Sequence, residues 1–471
     1  MIGSTEGIRL EEFARIVGGT LLVGDPQALV GPASIDTRIM QPGELFVALP
    51  GERVDGHQFL PQAKAIGVGA ALVRRGFAAE GFEVPEGLAL VEVQDVQDGL
   101  WAYAQWARSQ RSPRVIGVTG SNGKTTVKEM LSSILAVAAG QDAVLRNRLN
   151  FNNHLGVPLT LTRLNGQHRY AVIEMGMNHP GEIAELAGLV RPVVGVITSI
   201  GHAHLEGLGG IEQVARAKAE LFQALPEAGC AVFPDGQPIL EDASGHVAKQ
   251  IRFGSEQDCR VQVISARSAS TGALSVELRI DENVVEATLQ VAGVHNAFNA
   301  AAAAGAAVAL HVMGEAIHDG LERFVSAPHR SVVRRCRGAW VLDDCYNANP
   351  TSMVAGIEAL ATLPGAGRRG AILGDMAELG PGAARLHRDV IGAALQAGLD
   401  RLILVGPLMQ RAAVDLDLVG TRKVDVVESA QEAGNLARDR FGDQWRVLVK
   451  ASRVTGLERA LDRWCSGEEG R

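Results

Sequence analysis

The chain has 471 residues, 46% of them hydrophobic and 21% charged, and a formal net charge of −8. That is material for about three domains with several cores, in proportions ordinary for a globular protein. The acidic balance, spread without long runs, excludes a general nucleic-acid surface, so an anionic ligand has to be held by local groups rather than by the overall field.

The N-terminus has no basic region followed by an apolar stretch, and no apolar run approaches membrane-spanning length. This predicts no signal peptide, no membrane insertion and a cytoplasmic location. From residue 1 to about 110, short strand-like runs at 45–49 and 70–73 alternate with Pro and Gly turns, and a helix is predicted over 96–108. From Val115 the pattern is strand and helix in alternation, with strands at 115–118, 170–175 and 193–199, which predicts a parallel sheet covered by helices. Between 251 and 292 the rhythm changes to short alternating strands, an antiparallel edge, followed by an Ala-rich helix over about 296–312. Near Pro328 a second α/β series begins, with strands at 340–344, 370–373, 401–405, 424–427 and 446–449, a Rossmann-like spacing. The five cysteines, 230, 259, 336, 345 and 465, are scattered and form no Cys-x-x-Cys pair, which argues against a disulfide framework or structural zinc.

The densest chemical signal is Val115-Ile-Gly-Val-Thr-Gly120-Ser121-Asn122-Gly123-Lys124-Thr125-Thr126. An apolar strand ends in a glycine turn that aims backbone N–H groups and a helix N-terminus at phosphate, with a lysine for charge and a Thr hydroxyl for Mg²⁺. The standard phosphate-loop spacing needs glycine where Val118 stands, so the motif is a compact variant. Glu174, at the tip of the next apolar strand, is suited to complete a Mg²⁺ shell. Beyond the third strand lie His202 and His204, either metal ligands or turn caps. Lys218 stands among small residues on a helix, which by itself reads as a solvated lysine. Asn296 and Asn299, three apart at the start of the Ala-rich helix, either cap that helix or read an adenine edge. Arg330 and the cluster Asp343-Asp344-Cys345-Tyr346-Asn347-Ala348-Asn349-Pro350 open the last series.

Together and in this order, these segments resemble the Mur ligase family of peptidoglycan synthesis over essentially the whole chain. Ile35-Asp36-Thr37-Arg38, Asp55-Gly56-His57, the Asn150–Pro158 stretch and the Tyr-Asn-Ala-Asn-Pro segment resemble its D-alanyl-D-alanine-adding branch. Leu448-Val-Lys450-Ala451-Ser452-Arg453 resembles that branch's C-terminal signature, with Ala451 where glycine is expected.

The resemblance implies an α/β protein of three domains. Residues 1–112 form a small α/β N-terminal domain for the UDP end of the acceptor, and 113–327 a central parallel-sheet P-loop ATPase domain. Residues 328–471 form a Rossmann-like C-terminal domain that closes over the nucleotide. It implies a monomer acting on UDP-MurNAc-tripeptide and D-alanyl-D-alanine with ATP and two Mg²⁺. Gly120, Ser121, Asn122, Gly123, Lys124, Thr125, Thr126, Asn296, Asn299, Arg330 and Asp344 would bind ATP. Thr125, Glu174, His202 and a carbamylated Lys218 would hold metal, and Lys124, Lys218, His202 and Glu174 would be catalytic. Asp36, Arg38, Asp55, His57, Asn150, Asn152, Asn153 and Asn347 would contact substrate. Two other readings stand beside this one. The first is another ligase of the same superfamily, adding the third stem-peptide residue or glutamates to folate; the second is a nucleotide-gated regulator, for which the chain lacks an Asn-Lys-x-Asp guanine motif.

Overall fold

The computed structural model describes residues 7–466 except 52, 53, 149, 203, 204, 270 and 366, and omits the side chains of 205 and 206. It is an α/β chain that gathers into two compact units, one of residues 1–115, 142–175 and 185–191, the other of 116–141, 176–184 and 192–471. The units therefore divide the chain differently from three consecutive domains, because segments distant in sequence pack together.

In the first unit five strands lie in the order Thr20–Val23, Ala89–Val93, Ala70–Arg74, Leu45–Val47, Ala33–Ser34. The first pair is antiparallel and the rest are parallel. Helix Val96–Ser109 starts at Asp95, whose carboxylate accepts the N–H groups of Gln97 and Asp98 at 2.7 and 3.0 Å. It buries Leu100, Tyr103, Ala104 and Ala107, and Tyr103 meets Phe13 edge-on at 5.1 Å. Val144–Arg146 and Tyr170–Glu174 pair in parallel in the same unit.

In the second unit seven strands run in the order Asn283–Leu289, Leu274–Ile280, Val261–Ser268, Lys249–Gly254, Cys230–Pro234, Val194–Ile197, Arg114–Thr119. The first three are antiparallel neighbours, as the rhythm change around 251–292 predicts, and the rest are parallel. Helix His295–Ala309 is nearly all buried. Its small residues let it approach the sheet closely: a Cβ on Gly305 would lie 2.9 Å from Val232 Cγ1. The unit's other sheet has the order Val332–Cys336, Ala339–Asp343, Trp445–Lys450, Arg368–Gly374, Arg401–Val405, Val424–Val427. Only the first pair is antiparallel, so this is the expected Rossmann-like arrangement.

One expectation is corrected here. Cys336 and Cys465 form a disulfide across 129 residues, with Cα atoms 5.1 Å apart, while Cys230, Cys259 and Cys345 are free and buried. The spacing carries no local signal, because only the sheet brings strand Val332–Cys336 beside the C-terminal helix Glu458–Cys465. A cross-link closing so long a loop contributes about 3–5 kcal/mol by loop entropy. Alkylation under denaturing, non-reducing conditions is expected to label the three free cysteines, and reductant is expected to lower the melting temperature. Labelling of all five before reduction would remove the cross-link from solution.

Candidate functional site

Strand Arg114–Thr119 delivers the chain into the glycine loop with Val115, Ile116 and Val118 fully buried. Gly120 has φ +150 and Gly123 φ +82, and Gly123 opens helix Lys124–Ala139. Neither position tolerates a side chain: a Cβ would lie 1.9 Å from Thr198 Oγ1 at Gly120 and 2.2 Å from Asn299 Oδ1 at Gly123. These are the tight turns that bring backbone N–H groups against a phosphate.

The loop is tied to the segment after strand Val194–Ile197. Ser121 N donates to Ser199 O at 2.9 Å, Asn122 N to Ser199 Oγ at 2.9 Å, and Gly201 N to Ser121 Oγ at 3.0 Å. The Thr198 hydroxyl donates to the Asn122 carbonyl. Lys124 Nζ donates to Gly120 O at 2.7 Å, Thr125 is buried and Thr126 half-buried. Thr198 and Ser199, which sequence reasoning missed, are the residues that hold the loop's shape.

Asn296 is inside the helix, not its cap, since Val294 holds that place. Its Nδ2 donates to Ala292 O at 2.8 Å and its Oδ1 accepts Asn299 Nδ2 at 2.9 Å. The pair thus presents Asn299 beneath Gly123. Lys218 is no solvated lysine: it is 1% exposed, and burial together with the positive charge of Lys124 holds its ammonium well below the usual lysine range. Two residues on, Glu220 accepts the N–H groups of Gly181 and Ala184 at 2.8 and 3.1 Å. His202 lies exposed in a bend; His204 is outside the described residues.

Arg330 sits in a turn between His329 and Ser331, both left-handed at φ +62 and +54. Non-glycine residues hold this conformation at a cost of about 1 kcal/mol or more each, so the surroundings must impose it. Asp343, 3% exposed, lies 3.0 Å from His329 Nδ1, and Asp344 Oδ1 accepts Ser331 N at 3.0 Å. The guanidinium of Arg330 stacks 4.0 Å over the Tyr346 ring, with Arg453 5.6 Å from the same ring.

Lys450, 2% exposed, donates to Asp344 Oδ2 at 2.6 Å and to Asn347 O at 3.0 Å. The Lys450–Arg453 segment, with Ala451 fully buried, is thereby a brace for the Asp344–Asn349 turn. His329, Asp343 and Cys345 are close enough to suggest a metal trio. Arg334 Nη2 lies 3.4 Å from Asp343 and burial pushes the Cys345 thiol up, so the cluster is a hydrogen-bonding hub instead. Asn347 is exposed, while Asn349 does more than expected: it caps helix Pro350–Ala361, and its Nδ2 donates to Asn122 Oδ1 at 2.8 Å.

In the first unit Glu174 is 1% exposed, and its Oε1 accepts Asn152 Nδ2 at 2.8 Å. Asn152 therefore positions a candidate metal ligand. Three expected substrate contacts have internal hydrogen-bond partners. The Oδ1 of Asn153 is spent on Gly156 N at 2.9 Å, at the start of helix Gly156–Leu161. His57 is 0% exposed, stacked 5.1 Å from Phe77, with Nδ1 2.6 Å from Asp55 and Nε2 accepting Arg74 N at 3.0 Å. Both ring nitrogens are used, and Asp55 Oδ1 also accepts His57 N at 2.9 Å, so His57 and Asp55 are structural partners of one another. Asn150 is exposed. Arg38 clamps Asp36 with bonds of 2.8 and 2.6 Å.

Three family models match the chain: the Mur ligase family catalytic domain over residues 33–105, the Mur ligase middle domain over 118–307, and the Mur ligase glutamate ligase domain over 329–453. An Escherichia coli (strain K12) protein named UDP-N-acetylmuramoyl-tripeptide–D-alanyl-D-alanine ligase is 37% identical over 466 residues, 96% of this chain and 97% of its own. A crystal structure of MurF from Acinetobacter baumannii superposes with a TM-score of 0.84 at 31% identity, covering 98% of this chain and 99% of that one. MurF ligase from Thermotoga maritima, solved in complex with ADP, gives 0.77 at 25% identity, over 92% of this chain and 97% of that one.

Proposed function

The chain belongs to the Mur ligase family, and from that premise we infer that it uses ATP to join D-alanyl-D-alanine to UDP-N-acetylmuramoyl-tripeptide. The observation that carries this is a match of 34–37% identity over 95–96% of the chain to enzymes with that name. The other ligases of the superfamily are matched at 17–19% identity, a likeness of fold alone.

A peptide carboxylate does not condense with an amine at neutral pH, because hydroxide is a poor leaving group. Transfer of the γ-phosphoryl group makes an acyl phosphate and ADP. The amine of D-alanyl-D-alanine then attacks its carbonyl, and phosphate leaves as the amide forms. Phosphoryl transfer is largely a matter of position and charge. The amides around Gly120–Gly123 and the ammonium of Lys124 supply fixed positive charge for the phosphates. Asn299 leaves no room for a side chain at Gly123, and Arg330, Asp344 and Lys450 form a charged group for the nucleotide's polar end. The Thr125 hydroxyl in the phosphate loop and, in the first unit, the Glu174 carboxylate are each a hard oxygen donor of the kind Mg²⁺ takes, and that ion when bound would screen the repulsion between phosphate and carboxylate.

Lys218 is proposed to work as a carbamate. The comparisons give this no support; what supports it is chemical, since burial beside Lys124 favours the neutral amine, the form that adds CO₂. The modified side chain would be an oxygen-donor anion near the phosphates, with His202 as a nitrogen donor. No helix among the described residues is long and apolar enough to cross a membrane, in keeping with a cytoplasmic site of action.

The test is phosphate release. It is expected only when ATP, the tripeptide acceptor and D-alanyl-D-alanine are all present. Release with ATP alone would favour a regulatory NTPase; release with folate or with a dipeptide acceptor would favour the other ligases.

A further inference from the structure

Strand Asn283–Leu289 is the outer edge of its sheet, paired on one side only, with Leu274–Ile280. In an antiparallel pair the residues alternate, one turning its N–H and C=O toward the neighbour and the next turning both away. Thr288 N donates to Glu322 Oε1 at 2.5 Å, and Glu286 O accepts His318 Nδ1 at 2.6 Å, both from helix Glu315–Glu322. The outward set is therefore Thr288, Glu286 and, by the unbroken register, Val284. The helix occupies one end of this edge. At the other, Val284 N–H and C=O and Glu286 N–H face outward, and no hydrogen bond among the described residues takes them. Such an edge is a template for one more strand. Beside it lies an open cleft of about 700 Å³, lined by Val284, Glu286, Met313, Glu315 and His318 among others. Val284 is 54% and Met313 43% exposed. Glu286 and Glu315 are exposed carboxylates without an ion pair among the described residues, and Arg323, the arginine just past that helix, is held by Asp319 at 2.8 Å. That charge decides the occupant. A second copy pairing edge to edge would bring the same carboxylates against each other, whereas a basic segment meets them with opposite charge.

We propose that this edge docks an extended segment of another protein, one that alternates basic and apolar residues and adds as a strand beside Val284 and Glu286. Its backbone bonds the three outward groups, an apolar side chain covers Val284 and Met313, and lysine or arginine meets Glu286 and Glu315. Alternate side chains of a strand point to opposite faces, so the backbone gives affinity and the cleft reads every second residue. The ligase chemistry uses none of these residues, so the site tethers the enzyme to a partner rather than feeding its reaction.

The experiment is fluorescence anisotropy of the full-length protein with a short labelled peptide of alternating lysine and valine. The parent is expected to bind it. Glu286→Lys/Glu315→Lys is expected to weaken binding roughly 10-fold or more, since attraction becomes like-charge repulsion at two positions, and to take up a glutamate–valine peptide that the parent refuses. Glu83→Lys/Glu86→Lys, the same charge change at exposed sites in the first unit, should bind the lysine peptide like the parent. A lysine–valine peptide with N-methylated amides keeps the charge and loses the strand pairing, and should bind the parent roughly 10-fold more weakly or worse. All four substituted residues are exposed, so both variants are expected to fold, which thermal melting checks, and phosphate release should match the parent. No binding by the parent, equal loss in both variants, or equal affinity for the methylated peptide overturns the proposal. So does self-association of the free protein that the lysine peptide disperses, which would give the edge to a second copy.

Discussion

Lys218→Ala is expected to lower turnover by about 10²–10³-fold, the scale of removing one electrostatic contributor from a closed site. If the side chain works as a carbamate, short carboxylates such as acetate or formate, entering the space it leaves, should restore part of that loss. Phosphate release measured with and without added carboxylate decides the matter. A variant as active as the parent would remove Lys218 from the mechanism, and a dead variant indifferent to carboxylates would remove the carbamate. Stability moves the opposite way. Because the folded-state pKa of Lys218 is lowered from 10.5, the unfolded chain binds more protons between the lowered value and 10.5, so this lysine makes stability rise with pH across that window and destabilises the fold below it. In bicarbonate-free buffer at neutral pH, Lys218→Met is therefore expected to melt higher than the parent while losing activity. A lower melting temperature would contradict the burial argument.

Gly123→Ala is expected to abolish nucleotide binding, with ADP affinity falling about 100-fold or more, as two phosphate-facing amides are displaced. The residue has φ +82, and its new Cβ would meet Asn299 Oδ1 at 2.2 Å. Gly140, at the far end of the same helix, provides the control. It has φ +96 and nothing within 4 Å of a built Cβ. Gly140→Ala carries the backbone penalty alone, about 1 kcal/mol, and should leave ADP binding intact. Equal ADP affinity in parent and Gly123→Ala would mean that this loop is not the phosphate cradle.

The strand–loop–helix from Arg114 to Ala139 was legible in the sequence, and so was the antiparallel edge Leu274–Ile280 with its neighbours. The run of parallel strands that makes the C-terminal sheet Rossmann-like was equally legible. Each of these is written in apolar periodicity or in a demand for glycine that spans a few residues. The resemblance then named candidate nucleotide residues, and of these Asp344 accepts the Ser331 amide next to Arg330 and the Lys450 ammonium. Lys450 stands in a segment that resembles the C-terminal signature, but its partner was not legible, because a lysine at the end of a strand has no local mark that it will be 2% exposed against an aspartate 106 residues away. His57 failed in the opposite direction. The His after Asp-Gly, expected as a substrate contact, is enclosed by Phe77 and the Arg74 amide.

The sequence by itself determined the strands and helices, the loop that needs glycine at 120 and 123, and the family to which the order of motifs belongs. Only the tertiary structure decided which polar side chains are consumed and which are gathered. It spent His57, Asn153 and Asn296 on internal hydrogen bonds, joined Cys336 to Cys465, and drew Arg163 to Glu44. The physical reason is one of range. Backbone conformation and amphipathic period are settled between near neighbours, whereas the burial of a charge and the company it keeps depend on chain segments a hundred or more residues apart.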